Sequence, residues 1–273
     1  MDNVKIAFIG AGNMGRALIV GLITTGVPAQ QITVSNPSLE KLQWLSDHLK
    51  VQTTMDNVAA IKDADIIVFA VKPHVLPEVC NELKTLIAEC SPLIISVASG
   101  VSSEKIEAWL GGKPSIVRAM PNTPAAVSAG ATGLFANAFA SEAQKEVAEM
   151  LFRAVGISVW LDEEALIDSV IAVSGSGPAY YFLFMEAMQE AARSMGLDDE
   201  VARLLTSQTI LGAARMVMET DQNVMQLRES VTSPHGTTQA AIEVFEAGNL
   251  RQLIADAMRA ACDRSKEMAS EIN

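Results

Sequence analysis

The run Gly10-Ala11-Gly12-Asn13-Met14-Gly15 sets three glycines at the spacing a chain needs to wrap a pyrophosphate. Ile6-Ala7-Phe8-Ile9 leads into it as a short apolar strand, and Arg16 to Leu22 leads out of it as an apolar helix. In that setting Gly10 permits the tight turn, Gly12 lets a phosphate approach the backbone, and Gly15 lets the helix pack against the strand. The bare amides at the start of the helix then face negative charge. The same glycines without the strand and helix would be only a flexible turn, so the context makes this a dinucleotide-binding fingerprint.

Ligands on a parallel sheet wrapped by helices sit outside the carboxyl ends of the strands, so the loops there supply the next candidates. Ala70-Val71-Lys72-Pro73 follows one apolar strand, Ala98-Ser99-Gly100 another, and Met120-Pro121-Asn122-Thr123-Pro124 a third. Lys72 is suited to phosphate or ribose, and Asn122 to a polar edge of the coenzyme. After the second strand stands Ser35-Asn36-Pro37-Ser38, with no carboxylate to repel a 2′-phosphate and no arginine beside it. NADPH is therefore the expected coenzyme, with NADH also usable, and Arg16 or Asn57 is a candidate for the missing contact.

The second half is informative through what it lacks. No lysine occurs between Glu146 and Ser265, and His235 is the only histidine there. A hydroxyacid dehydrogenase would want a lysine, or a histidine paired with a carboxylate, beside the reacting carbon. Reduction of an imine needs neither, because a protonated C=N carbon is already electrophilic and mainly has to be oriented against the nicotinamide. Two glycine-bearing islands can hold such a substrate. Ser174-Gly175-Ser176-Gly177-Pro178-Ala179-Tyr180 interrupts a long helix, and Thr232-Ser233-Pro234-His235-Gly236-Thr237-Thr238 starts another, where amides and hydroxyls can bind a carboxylate. Read blandly, they are a kink and a helix cap. His48, His74 and His235 are scattered, and no metal is expected.

These residues need a frame that brings strand ends together. Apolar runs at Lys5 to Ile9, Gln31 to Ser35, Ile66 to Val71, Leu93 to Ala98 and Ile116 to Ala119 alternate with helical stretches at Gly12 to Thr24, Leu39 to Leu49, Leu76 to Glu89 and Ser103 to Leu110. Weaker strands at Gly130 to Phe135 and Ile157 to Leu161 flank a helix at Glu142 to Val155. This is α/β alternation, a Rossmann-type doubly wound parallel sheet. From Glu164 onward helices are expected over Glu164 to Met195, Asp198 to Glu219, Asn223 to Arg228, Thr237 to Ala247 and Leu250 to Ser270. The expected division is residues 1–162 for dinucleotide binding and 163–273 as an all-helical domain for substrate binding and dimerisation.

Composition sets the outer limits. A chain of 273 residues with 49% hydrophobic content can bury a large core, and a formal charge of −12 disfavours nucleic acid and anionic membrane as partners. Three cysteines without paired spacing suit a reduced compartment, and the opening Met1-Asp2-Asn3-Val4-Lys5 leaves no room for a signal peptide. A cytoplasmic protein is expected.

The Gly10 to Gly15 turn, Ala70 to Pro73, Arg118 to Pro124, Ser174 to Tyr180 and Thr232 to Thr238 stand in the order seen in pyrroline-5-carboxylate reductases, and the chain resembles that family over essentially its whole length. The resemblance implies NAD(P)H-dependent reduction of 1-pyrroline-5-carboxylate to L-proline, the last step of proline biosynthesis. It implies coenzyme contacts at Gly10 to Gly15, Ser35, Asn57, Ala70 to Pro73 and Ala98 to Gly100. It implies substrate contacts at Glu164, Thr237 and Thr238, with amides of the Ser233 to Gly236 turn, and Thr238 as the catalytic anchor. His235 departs from the small residue usual in the family. The resemblance also implies a homodimer or a larger assembly of dimers. The rival functions are another two-domain imine or 3-hydroxyacid dehydrogenase, and a dinucleotide sensor without turnover.

Overall fold

The computed structural model describes residues 4–271; Met1 to Asn3, which entered the argument about a signal peptide, lie outside the described residues. By contacts the chain groups into two compact units: residues through Pro178 together with those from Ala260 on, and Ala179 to Arg259.

The first unit is built on an eight-stranded sheet with order β3-β2-β1-β4-β5-β6-β7-β8. Its strands are β1 (Ile6–Ile9), β2 (Ile32–Ser35), β3 (Gln52–Thr54), β4 (Ile66–Phe69), β5 (Leu93–Ser96), β6 (Ile116–Met120), β7 (Gly130–Ala136) and β8 (Gly156–Trp160). Helices α1 (Asn13–Thr24), α2 (Leu39–Leu49), α3 (Asn57–Ile61), α4 (Leu76–Cys90), α5 (Ser103–Leu110) and α6 (Glu142–Arg153) connect them. The order reverses at β1, which lies between β2 and β4, so the fingerprint turn opens at the switch point where such sheets bind ligands.

Alternate side chains of these strands enter two cores. Phe8, Val34, Val68 and Ile95 pack with Leu18 and Leu22 of α1, Leu42 and Leu45 of α2, and Leu151 and Phe152 of α6. Ala7, Ile9, Ile67, Phe69 and Ile94 pack on the other face with Leu83 and Ile87 of α4 and Ile106 of α5. Burial on both faces is why these strands read as unbroken apolar runs. Register then aligns their ends: Ile9 pairs with Ser35 and with Phe69, and Phe69 pairs with Ser96. The loops carrying the candidate residues therefore leave the sheet along one edge.

Two features depart from the sequence expectation. The short β3 and α3 were not anticipated, since Gln52-Thr53-Thr54 is polar and three residues are too few to show a period. The sheet is also not wholly parallel, because β7 runs antiparallel to β6. Only residues 121–129 join those two strands, too few for the crossover that a parallel pair requires.

The chain continues in α7 (Leu166–Val170), a π-helical turn (Ile171–Gly175) and α8 (Gly177–Ser194). One interrupted helix was expected there; the interruption is this π turn, in which Ser176 N donates to Ile171 O at 2.8 Å. The second unit comprises most of α8 with α9 (Asp199–Glu219), α10 (Val224–Ser230), α11 (Thr237–Ala247) and the first part of α12 (Leu250–Glu271). Its interior is slight: Ala202, Thr206 and Leu227 are buried, while Phe182, Leu183, Leu205, Met218, Val244 and Leu253 are exposed. No helix among the described residues is long and apolar enough to cross a membrane.

Cys80 on α4 is fully buried, and burial pushes its thiol up from 9.0 to about 12. The native state thus keeps a proton that the unfolded chain gives up near pH 9, so this residue's contribution to stability is whole below pH 9 and is lost as pH rises toward 12. In a thiol-labelling assay at pH 8, the exposed Cys90 should react in the folded protein and Cys80 only after denaturant is added. Equal native rates would contradict this packing.

Candidate functional site

Gly10 adopts φ +107°, and a side chain there would meet the carbonyl oxygen of Ala70 at 2.6 Å. A Cβ at Gly15 would meet the carbonyl oxygen of Gly10 at 2.7 Å, so the turn and its helix are pressed against the end of β4. Gly12 differs: the nearest atom to a Cβ there is Ala70 O at 3.9 Å. The space beside Gly12 is open toward a cavity of about 430 Å³ lined by Ala11, Gly12, Asn13, Arg16, Trp44 and His48.

Gly12 is the N-cap of α1 and offers no side chain to its first turn. The helices α3, α5, α6, α9 and α10 are instead capped by Asp56, Ser102, Ser141, Asp198 and Asn223, each accepting a backbone N–H. The first-turn amides of Asn13, Met14 and Gly15 are thus left for an anion, as a bound pyrophosphate requires. The residues present fit a dinucleotide.

Ser35 and Asn36 serve the turn itself. Gly10 N donates to Ser35 O at 2.8 Å, and Ala11 N donates to Asn36 Oδ1 at 3.1 Å. The Ser35 hydroxyl donates to Asn57 Oδ1 at 2.5 Å, and Asn57 Nδ2 donates to Glu82 Oε2 at 2.8 Å. Glu82 did not stand out in the sequence, because it meets Asn57 only where α4 passes α3. Arg16 has its guanidinium 3.4 Å from the centre of the Trp44 ring, which stacks on His48. Lys72 is exposed just after β4, with no ion pair among the described residues.

Farther along the same edge, Ala98, Ser99 and Gly100 leave β5 and lead to α5. Glu164 lies there with both carboxylate oxygens engaged. Ser103 N donates to Oε1 at 2.6 Å and Ser103 Oγ to Oε2 at 2.7 Å, while Arg118 Nη1 donates to Oε1 at 2.9 Å. Arg118 is buried in β6, so Glu164 both neutralises a buried guanidinium and faces the start of α5. The buried Asn122 is a brace: its Nδ2 donates to Ser174 O at 3.0 Å and its Oδ1 accepts from Ala131 N at 2.9 Å. The sequence marks Glu164 and Asn122 as candidates, and Arg118 and Ser174 within motifs, but not these pairings, which join different elements.

In the second unit, Gly236 is the N-cap of α11 and, like Gly12, provides no side-chain bond. A Cβ there would meet Ser233 Oγ at 2.7 Å, and Gly236 N donates to Ser233 O at 3.0 Å, which closes the turn. His235 is exposed at φ +58°, with its N–H donating to Gln239 Oε1 at 2.8 Å. The left-handed backbone explains why a residue without a side chain suits this position. Thr238 is half-buried, and its hydroxyl has no hydrogen-bond partner among the described residues. Uncapped amides and a free hydroxyl meet at this helix end. Glu164 belongs to the first unit and the Ser233 to Thr238 turn to the second.

Two family models match the chain, one in each half. Residues 164–268 match the family described as pyrroline-5-carboxylate reductase dimerisation, and residues 5–100 match NADP oxidoreductase coenzyme F420-dependent. The pyrroline-5-carboxylate reductase of Pseudomonas aeruginosa is 47% identical over 272 residues, covering 100% of this chain and 99% of the relative. A solved pyrroline-5-carboxylate reductase from Coxiella burnetii superimposes with TM-score 0.91 at 53% identity, covering 98% of this chain and 99% of that one. The Plasmodium falciparum pyrroline carboxylate reductase with NADP bound gives TM-score 0.90 at 32% identity, with 98% and 99% covered.

Removing the Glu164 carboxylate should leave Arg118 buried without a partner and α5 without its contact. Glu164→Ala should lower unfolding free energy by about 2 to 3 kcal/mol in urea melts, and Glu164→Gln, which keeps an acceptor oxygen, by clearly less. Equal stability of Glu164→Ala and the parent would show that Arg118 is satisfied elsewhere.

Proposed function

The chain belongs to the pyrroline-5-carboxylate reductase family, and from that premise we propose how its residues carry out NAD(P)H-dependent reduction of 1-pyrroline-5-carboxylate to L-proline. It is an oxidoreductase acting on a C=N bond. The observation that carries the assignment of roles is the pair of glycine-capped helix ends. Gly12 opens α1 and Gly236 opens α11 with no side chain at the cap to crowd a ligand, while five other helices use a bonded Asp, Ser or Asn and α2, α4 and α7 carry Ser38, Val75 and Ala165 there. One uncapped end suits a pyrophosphate and the other a substrate carboxylate.

A bound nicotinamide coenzyme supplies the hydride. The Gly10 to Gly15 turn would hold its phosphates, with Ala70, Val71, Lys72 and Pro73, Ala98, Ser99 and Gly100, and the region of Asn122 along its track. Ser35, Asn36 and Asn57 would face the adenosine end. With no carboxylate at the end of β2, we assign NADPH as the preferred coenzyme and NADH as a working alternative. The Ser233 to Gly236 turn spends its His235 and Gly236 amides on Gln239 and Ser233, so the open amides of Thr237 and Thr238 at the start of α11 would bind the substrate carboxylate, and the Thr238 hydroxyl would hydrogen-bond the ring nitrogen or the carboxylate. These contacts orient an electrophilic carbon and leave little for a strong base to do. Glu164 was expected at the substrate; with its oxygens engaged by Arg118 and Ser103, it would contribute by fixing the coenzyme-side edge.

Residues 1–162 would then form the dinucleotide-binding region and 163–273 the substrate-binding and dimerisation region. We assign the exposed apolar side chains of the second unit to a homodimer contact, or to a larger assembly built from dimers. We assign the protein to the cytoplasm, where its three free thiols would stay reduced.

Two variants separate the two sites. Gly12→Val has room to fold but fills the phosphate space, so fluorescence titration should show NADPH binding lost at unchanged melting temperature. Undiminished affinity would move the coenzyme elsewhere. Thr238→Ala should lower kcat/KM for pyrroline-5-carboxylate by at least about tenfold with NADPH affinity unchanged. A lower melting temperature with normal kinetics would make Thr238 a helix-end residue only.

A further inference from the structure

We propose that Glu82 limits how well this enzyme accepts a 2′-phosphate on its coenzyme, acting as a positioning residue through Asn57. The inference rests on the assignment of the Gly10 to Gly15 turn and the end of β2 to the coenzyme. Folds of this kind often place a carboxylate at the end of the second strand, where it accepts the ribose 2′-hydroxyl. Here Ser35 and Asn36 are neutral, but the structure brings a carboxylate to the same corner from a different element. The Ser35 hydroxyl donates to Asn57 Oδ1 at 2.5 Å, and Asn57 Nδ2 donates to Glu82 Oε2 at 2.8 Å.

The direction of this chain is set at its outer end. An ionised carboxylate only accepts, so Glu82 fixes the Asn57 amide with its nitrogen outward and its oxygen toward Ser35. Ser35 then commits its single proton to Asn57. The corner is left rich in acceptors, with a negative charge behind it that no ion pair neutralises among the described residues. A ribose hydroxyl can donate into that set. A 2′-phosphate brings only acceptors and more negative charge, and it would be better received if Asn57 turned its nitrogen inward, which Glu82 opposes. Glu82 thereby narrows the advantage that the missing carboxylate on β2 gives to NADPH.

The test compares NAD⁺ and NADP⁺, which differ only in the 2′-phosphate, by calorimetric titration of the full chain without substrate. Glu82→Gln removes the charge and lets Asn57 turn. It should improve NADP⁺ affinity relative to NAD⁺ by at least about fivefold, with NAD⁺ affinity held within about twofold. The NADPH to NADH ratio of kcat/KM should move in the same direction. Glu89→Gln removes an equal charge from the far end of α4 and should leave both ratios unchanged. An unchanged or reversed ratio in Glu82→Gln, or an equal change in Glu89→Gln, overturns the proposal. Failure of the parent to bind either dinucleotide would instead overturn the coenzyme assignment itself, and this inference with it.

Discussion

The carbonyl of Ala70 and the carbonyl of Gly10 occupy the space where side chains of residues 10 and 15 would project. That close approach of the first turn to the end of β4 is the constraint on which the rest of the edge we assign to the coenzyme depends. It is possible because β1, β2 and β4 end in register, at Ile9, Ser35 and Phe69. The turn is then tied from the β2 side, with Ser35 O accepting Gly10 N and Asn36 Oδ1 accepting Ala11 N. Asn36 is a tether at least as much as a ligand group. A polar residue was needed after β2 to satisfy a buried loop amide, whatever it also does for a ribose.

Helix starts differ in how their amides are met. At α3, α5, α6, α9 and α10 an Asp, Ser or Asn side chain takes an orphan amide, whereas α2, α4 and α7 begin at Ser38, Val75 and Ala165 without such a bond. At α1 and α11, where we propose that a ligand takes the amide, glycine stands at the cap. Leaving such amides open costs stability in the empty protein and provides preorganised donors in the occupied one. The side-chain inventory agrees with this economy. Arg118 and Glu164 neutralise each other, no lysine lies between Glu146 and Ser265, and what remains is mainly binding and orientation.

The fold was legible where burial imposes a pattern. Ile66 to Phe69 and Leu93 to Ser96 are covered on both faces and could hardly be read otherwise, and α2, α5 and α11 were placed at their observed bounds. Gln52 to Thr54 is an edge strand with no buried residue, so nothing in its composition announces it. The direction of β7 depends on the length of a connection rather than on the strand's own residues. Among site residues, the glycine turn and the Thr232 to Thr238 island were legible because a local conformation demands them. The partners of Asn57 and Glu164 were not, since Glu82, Ser103 and Arg118 reach them across 25 to 61 positions of sequence. Periodicity carries no information about such contacts.

The second unit answers a different question about the same composition. Its helices carry apolar residues on more faces than one layer of packing can cover: Ala202 and Thr206 are buried on α9, while Leu204, Leu205, Leu211, Met216, Val217 and Met218 are exposed. A helix with apolar residues on most of its faces is stable only when surrounded. With a second copy as the cover, as we propose, the stability of this unit becomes a function of protein concentration, because a bound partner stabilises only the folded form. Thr238 and the open end of α11 belong to that unit. The substrate turn would then be held in its working shape by association, while the coenzyme edge is held by the sheet within one chain.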